Sequence, residues 1–314
     1  MLKYITQKEV KKGFSRRKND SHKGQNGRVL ILGGSREFFG APILAAYGAL
    51  YSGCDLVYLA VPACNFDVSR SYGADFIVRS YDGDFFHKGA IPQILPLLEC
   101  CDVVIMGPGM GKCDETRQAT LACINQTKKP LVLDADALFP EIFNAIHERS
   151  ESYPIVLTPH SGEIDRLRGQ KISSATDGHS TQNAFHLAKK DFPSTQSSKK
   201  ETQNLDERAQ ILKSLACLHA VTILLKGHHD IIASSLGKIV FNSTGNPGMT
   251  VGGTGDVLSG VVGSFIAQGI RPFEACQYAT FLVGTAGDQL FRKKSYAFSA
   301  TDLALELPYI LRNL

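Results

Sequence analysis

Asn246-Pro247-Gly248-Met249-Thr250-Val251-Gly252-Gly253-Thr254-Gly255-Asp256-Val257-Leu258-Ser259-Gly260 is the most informative stretch of this chain. Its glycines lead into an apolar segment, 257–266, that reads as a helix. A Gly-rich turn before a helix lets several backbone N–H groups converge on one point, and the helix N-terminus adds partial positive charge. Together these make an anion hole suited to a phosphoryl group in transfer. Asp256 falls in the first helical turn beside that hole, where a carboxylate can take the proton from a hydroxyl attacking phosphorus. The competing reading makes Asp256 a helix cap that accepts a backbone hydrogen bond. The glycines favour the first reading, because a cap needs none of them.

Working outward from this run, short aliphatic segments at 28–32, 56–61, 102–106, 131–133, 155–157, 222–225 and 231–233 end in Gly, Pro or Asp and read as buried strands. Between several of them lie stretches with helical spacing, such as 41–51 and 115–126. Alternation of this kind predicts an α/β fold with a mostly parallel sheet covered on both faces. In such sheets ligands bind beyond the carboxyl ends of the strands. The residues there are Gly33-Gly34-Ser35, Gly107-Pro108-Gly109, Asp134-Ala135-Asp136, Thr158-Pro159-His160 and Lys226-Gly227, which gather glycines, carboxylates, a histidine and a lysine at one rim.

Each of the other rim motifs has two readings. Lys226, next to a glycine that admits a ligand, suits nucleotide phosphates, or it is an ordinary exposed lysine before a turn. His160 could hold a polar substrate. Glu163 could organise water around magnesium, or serve as an acid in the first turn of a helix. His228 and His229 are adjacent and read as surface or nucleotide-edge residues. The segment Gly107-Pro108-Gly109-Met110-Gly111-Lys112-Cys113 is one residue short of a P-loop and has Cys where Ser or Thr would bind magnesium. Gly33-Gly34-Ser35 lacks the G-x-G-x-x-G spacing of a dinucleotide fingerprint.

Bulk properties narrow the field. With 314 residues, 43% of them hydrophobic, the chain can bury a large core as one α/β domain, and a net charge of +4 argues against a dedicated nucleic-acid binder. The basic residues Lys3, Lys8, Lys11, Lys12, Arg16, Arg17 and Lys18 read as a solvated N-terminal segment or as an anion-attracting or RNA-binding arm. Eight cysteines without a C-x-x-C pair suit reduced thiols and the cytoplasm. No apolar stretch is long enough to span a membrane, and no signal-peptide core is visible. Residues 173–206, rich in Ser, Thr, Gln, Lys and His, read as a polar surface insertion, partly helical near 181–190, or as a lid.

Taken together, Ser21-His22-Lys23-Gly24, Gly40-Ala41-Pro42, Gly107-Pro108-Gly109, Leu133-Asp134-Ala135-Asp136-Ala137-Leu138, Thr158-Pro159-His160, Leu225-Lys226-Gly227 and the run Gly252 to Gly260 resemble the ADP/ATP-dependent NAD(P)H-hydrate dehydratase family. The resemblance covers roughly residues 21 to 290. It implies a ribokinase-like three-layer α/β/α sandwich. It also implies a repair reaction, in which the hydroxyl on the ring of hydrated NADH or NADPH, in its S epimer, is phosphorylated from ADP or ATP with Mg2+ and then lost as phosphate. By the same resemblance Asp256 is the base, and Gly253 and Gly255 belong to the turn that stabilises the transferring group. Ala41, Gly109, His160 and Asp256 contact the hydrated dinucleotide, while Lys226, Gly227, His228, His229, Asp230 and Gly255 line the ADP or ATP site. A homo-oligomer is implied. No epimerase domain is recognised, so a separate epimerase is the implied functional link. The alternatives are a kinase of the same fold for a vitamin precursor (hydroxymethylpyrimidine or hydroxyethylthiazole) and a non-catalytic nucleotide-binding module.

Overall fold

The computed structural model describes residues 2–14, 17–149, 153–168 and 198–314, with 198–203 as backbone only. Nine strands form one sheet: β1 Arg28–Leu32, β2 Leu56–Pro62, β3 Phe76–Tyr81, β4 Val103–Met106, β5 Leu131–Leu133, β6 Ile155–Leu157, β7 Thr222–Leu225, β8 Asp230–Ala233 and β9 Ile239–Asn242. Their spatial order is β3-β2-β1-β4-β5-β6-β7-β8-β9. Pairing is parallel from β3 through β7, and β8 and β9 then add an antiparallel end.

Apolar residues on both faces explain why the central strands are continuous aliphatic runs. Side chains alternate between faces. In β1, Leu30 and Leu32 join the core on one side of the sheet, while Val29 and Ile31 join the core on the other. The first core is covered by helices Ile91–Cys100, Asp114–Gln126, Ile142–Glu148, Ser161–Leu167 and Ser198–Leu218. The second lies under helices Gly40–Tyr51, Thr254–Ala267, Pro272–Lys294 and Ala300–Leu311. This is the three-layer arrangement expected from the sequence.

All seven expected strands are present, with ends shifted by no more than one residue. Two were not anticipated. In β3, Arg79 and Ser80 are exposed and break the apolar run, as befits a sheet edge. β9 is only four residues long and is set by its antiparallel partner β8. The N-terminal segment is not a free solvated arm. Tyr4 bridges to Phe241 of β9, and Val10 of the helix Gln7–Gly13 is fully buried, leaving the lysines on the outer face. Most of the expected polar insertion, and its helix near 181–190, lie outside the described residues. From Ser198 onward the chain is helical.

The helix carrying Asp256 is fixed by backbone-to-backbone packing on Gly40–Tyr51. A β-carbon at Gly260 would collide with the Ala45 carbonyl oxygen and lie 2.9 Å from the Ala49 nitrogen; one at Gly48 would collide with the Val257 carbonyl. Gly→Ala inside an exposed helix gains about 1 kcal/mol from propensity. Here the sign reverses: Gly260→Ala is expected to destabilise by about 1–3 kcal/mol through overpacking, read as a lower urea midpoint with an unchanged slope.

Candidate active site

The Gly-rich turn forms as the sequence suggests. Gly253 caps the helix Thr254–Ala267 with φ +94°, a left-handed conformation, and a β-carbon there would strike the Leu44 side chain. No side chain caps this helix. Asp256 sits in its first turn without capping it, so the cap reading fails and the N–H groups of the turn remain open. The preceding loop is pinned from the neighbouring helix: Gly245 N donates to Asp288 Oδ2 (3.1 Å) and Asn246 Nδ2 to Asp288 Oδ1 (3.0 Å). Asn246 Oδ1 accepts from Gly248 N at 3.0 Å, and the Thr254 hydroxyl donates to Met249 O at 2.8 Å. Asp288 lies inside a helical pattern and carried no sequence signal.

Lys226 is not an ordinary exposed lysine. Its Nζ donates to Asp134 Oδ1 at 2.7 Å, and the same oxygen accepts from the Thr158 hydroxyl at 2.8 Å. The Asp134 side chain is 1% exposed and that of Lys226 is 19% exposed. Burial works against the ammonium, but Asp134, Glu163 and Asp256 together outweigh it and hold the Lys226 pKa above its ordinary value. A backbone bond from Lys226 N to Pro159 O (2.8 Å) and a bridge between Lys226 and His160 tie the loops after β6 and β7 together.

Asp256 faces this ammonium among several carboxylates. Burial above all, then Asp134, push its carboxyl up to about 8; Lys226 opposes the shift, and Asp136 and Glu163 add to it. A base with a pKa near the working pH is well matched to taking a proton in the transition state. Strongly shifted groups in a cleft mark functional sites.

On one side of this centre lies a cavity of about 500 Å³. Lys226, Gly227, His228 and Asp230 line it, together with Gly255 and Thr254 at the helix start, and Met249, Leu258 and Val283 give it an apolar wall. Its size and mixed lining suit a nucleotide. His160 lines this same cavity, so the structure puts it against Lys226 on the side the sequence reading assigned to ADP or ATP. His229 is not among the lining residues and packs edge-on against Tyr4. Asp230 accepts from Gly227 N (3.1 Å) and Asn242 Nδ2 (3.0 Å). Its carboxyl is raised to about 6, mainly by burial, against the pull of Asn242, Gly227 and Lys226.

Ala41 and Gly109 are brought together at a second part of the rim: a β-carbon on Gly109, whose φ is +65°, would lie 3.2 Å from that of Ala41. Glu163 takes the structural role that the sequence left open. Its Oε2 accepts from His160 N at 2.9 Å, while His160 Nδ1 accepts from Gly162 N at 3.0 Å, which closes a reciprocal cap on helix Ser161–Leu167. Among the described residues no cluster of three His, Cys, Asp or Glu forms a ready metal cage.

The sequence model of the NAD(P)H-hydrate dehydratase family matches residues 29–309. The ADP-dependent (S)-NAD(P)H-hydrate dehydratase of Cenarchaeum symbiosum is 32% identical over 98% of this chain and 96% of its own length. A ribokinase-like superfamily protein from Enterococcus faecalis superposes with a TM-score of 0.72 at 25% identity, covering 99% of this chain and 96% of that one. The ADP/ATP-dependent NAD(P)H-hydrate dehydratase of Bacillus subtilis, crystallised with ATP and Mg2+, gives 0.77 at 24% identity, covering 99% and 98%. The chain spans about half the length of the bifunctional NAD(P)H-hydrate repair enzymes it matches, 53% for that of Pyrobaculum aerophilum at 33% identity over 95% of this chain.

Proposed function

Because this chain belongs to the NAD(P)H-hydrate dehydratase family, we propose that it restores hydrated NADH and NADPH, in the S epimer, at the expense of ADP or ATP. The observation that carries the reading is Asp256: a buried carboxyl raised to about 8, beside an uncapped glycine turn and facing a lysine at the mouth of a nucleotide-sized cavity. The nucleotide occupies that cavity, with its terminal phosphate between Lys226 and the N–H groups of the turn through Gly253 and Gly255. Ala41 and Gly109 border the hydrated dinucleotide. His160, on the nucleotide side of the rim, reaches the dinucleotide only where the two ligands meet.

Asp256 takes the proton of the ring hydroxyl as its oxygen attacks the terminal phosphorus, and the bond from phosphorus to the nucleotide's bridging oxygen breaks. The ring nitrogen then supplies the electron pair that expels phosphate, and loss of a ring proton restores the dihydronicotinamide. The turn and Lys226 stabilise charge that develops on the phosphoryl oxygens. Asp134, Glu163 and Asp256 outnumber the lysine they act on, Lys226, a balance that fits a hydrated Mg2+ held with substrate phosphates. Glu163 would orient one of its waters, and the ion would supply further charge neutralisation. We place the enzyme in the cytoplasm, as a homo-oligomer working beside an epimerase. No helix among the described residues is long and apolar enough to cross a membrane.

Incubation of hydrated NADH with protein, Mg2+ and either ADP or ATP is expected to restore the dihydronicotinamide absorbance with release of one phosphate per dinucleotide. No turnover with either nucleotide removes the assignment. A stable phosphorylated product would indicate a kinase instead.

A further inference from the structure

Gly284, Gly287 and Asp288 fall at i, i+3 and i+4 in the helix Pro272–Lys294, so they share one face. Glycine and aspartate are poor helix formers, and three of them within five residues weaken the helix where it needs to be continuous. The segment 244–250 explains them, because it lies directly on that face. A β-carbon at Gly284 would collide with Thr244 Oγ1 and lie 2.7 Å from the Thr244 carbonyl carbon. One at Gly287 would collide with Met249 Sδ and lie 2.8 Å from Met249 Cγ. Asp288 then fastens the segment: Oδ2 accepts from Gly245 N at 3.1 Å, and Oδ1 from Asn246 Nδ2 at 3.0 Å. Hydrogen bonds to a carboxylate are stronger than those between neutral groups.

The segment held in this way is a wall of the cavity of about 500 Å³, where Thr244, Asn246 and Met249 reach the surface. It also leads to the start of the helix that carries Asp256. Asn246 Oδ1 accepts from Gly248 N at 3.0 Å and so fixes the short turn Pro247–Thr250. The Thr254 hydroxyl, on the first residue of the helix Thr254–Ala267, donates to Met249 O at 2.8 Å. A continuous set of contacts therefore runs from Asp288 through Asn246 and Met249 to Thr254. Asp288 does not itself line the cavity, so it acts on a ligand there through the segment it holds.

Resting on the reading that this cavity takes ADP or ATP, we propose that Asp288 is a positioning residue for the nucleotide. With Gly284 and Gly287 beside it, Asp288 sets the 244–250 wall and, through Thr254, the open helix start in the geometry that receives the nucleotide. An amide in its place can accept from only one of the two donors and turns its NH2 toward the other. The wall must then shift away from the helix.

The probe is ADP, and its Kd is measured by calorimetry on the full chain, independently of turnover. Asp288→Asn is expected to raise that Kd about tenfold, the scale of one hydrogen bond to a charged group. KM for hydrated NADH at saturating ADP should not move. Gly287→Ala forces the Met249 side chain out of its place on the helix and should raise the Kd about five- to tenfold. In a Met249→Ala background, which leaves room for the added methyl, the same substitution should change the Kd less than about twofold. A role confined to stability would lower the melting temperature of Asp288→Asn and leave the Kd of the folded protein at the wild-type value. That result, or an equal effect of Gly287→Ala in both backgrounds, overturns the positioning role and leaves the repair reaction intact. If Asp288→Asn does not fold, the cycle at Gly287 and Met249 decides. Wild-type protein that binds ADP without turning over hydrated NADH overturns the repair reaction alone, and wild-type protein that does not bind ADP overturns both.

Discussion

Asp256→Asn is expected to lower turnover of hydrated NADH by about 10²–10⁴-fold, the usual worth of a general base, while ADP and ATP bind almost as before. The asparagine keeps the shape of the side chain but cannot take the hydroxyl proton, and Asp256 does not line the nucleotide cavity. In the wild-type enzyme kcat/KM should climb with pH and level off above about 8, where the carboxyl is ionised; titrating activity across that range in the presence of saturating nucleotide checks it. Retained activity in the variant would mean that another group is the base.

The same substitution should affect stability in the opposite direction. In the unfolded chain an aspartate loses its proton near pH 4, whereas in the folded protein Asp256 holds it until about 8. Between those values the folded state binds more protons, so this group's contribution to stability falls as pH rises. Asparagine does not titrate. Asp256→Asn should therefore gain on the wild type in thermal melts as pH increases through that window, with the gap constant above it. Such a trade of stability for activity is common at sites built for chemistry.

Lys226→Met is expected to have the largest effect on folding. It leaves Asp134, 1% exposed, facing a thioether, with the Thr158 hydroxyl as its remaining donor. Removing one partner of a buried ion pair typically costs about 3–5 kcal/mol. Nucleotide affinity should also fall, because Lys226 lines the cavity. The double variant Lys226→Met with Asp134→Asn is the informative control. It should recover most of the urea stability and none of the nucleotide affinity or turnover. Recovery of turnover would mean that Lys226 serves only to neutralise Asp134.

Much of the architecture was legible because local rules suffice for it. Aliphatic runs ending in Gly, Pro or Asp became strands, and the glycines before residues 257–266 became a left-handed turn into a helix. β3 escaped because an edge strand carries exposed polar residues such as Arg79, and β9 because it is placed by antiparallel pairing with β8 rather than by the strand–helix alternation that marks the others. At the site, rim residues were found from their place after strands, but their functions separated only in three dimensions. Glu163 and His160 proved to cap a helix together, and Asp288, which fixes the loop before the glycine turn, was invisible inside a helical stretch.

The sequence by itself therefore determined most of the sheet, the rim and the presence of a glycine turn leading into a helix with a carboxylate in its first turn, since each depends on residues close together in the chain. Tertiary structure decided what that carboxylate is. Lys226 and Asp134, 92 positions apart, meet at 2.7 Å, and burial among Asp134, Asp136 and Glu163 pushes the Asp256 carboxyl up to about 8. Charge interactions and desolvation act through space, so no local pattern of residues could have fixed them.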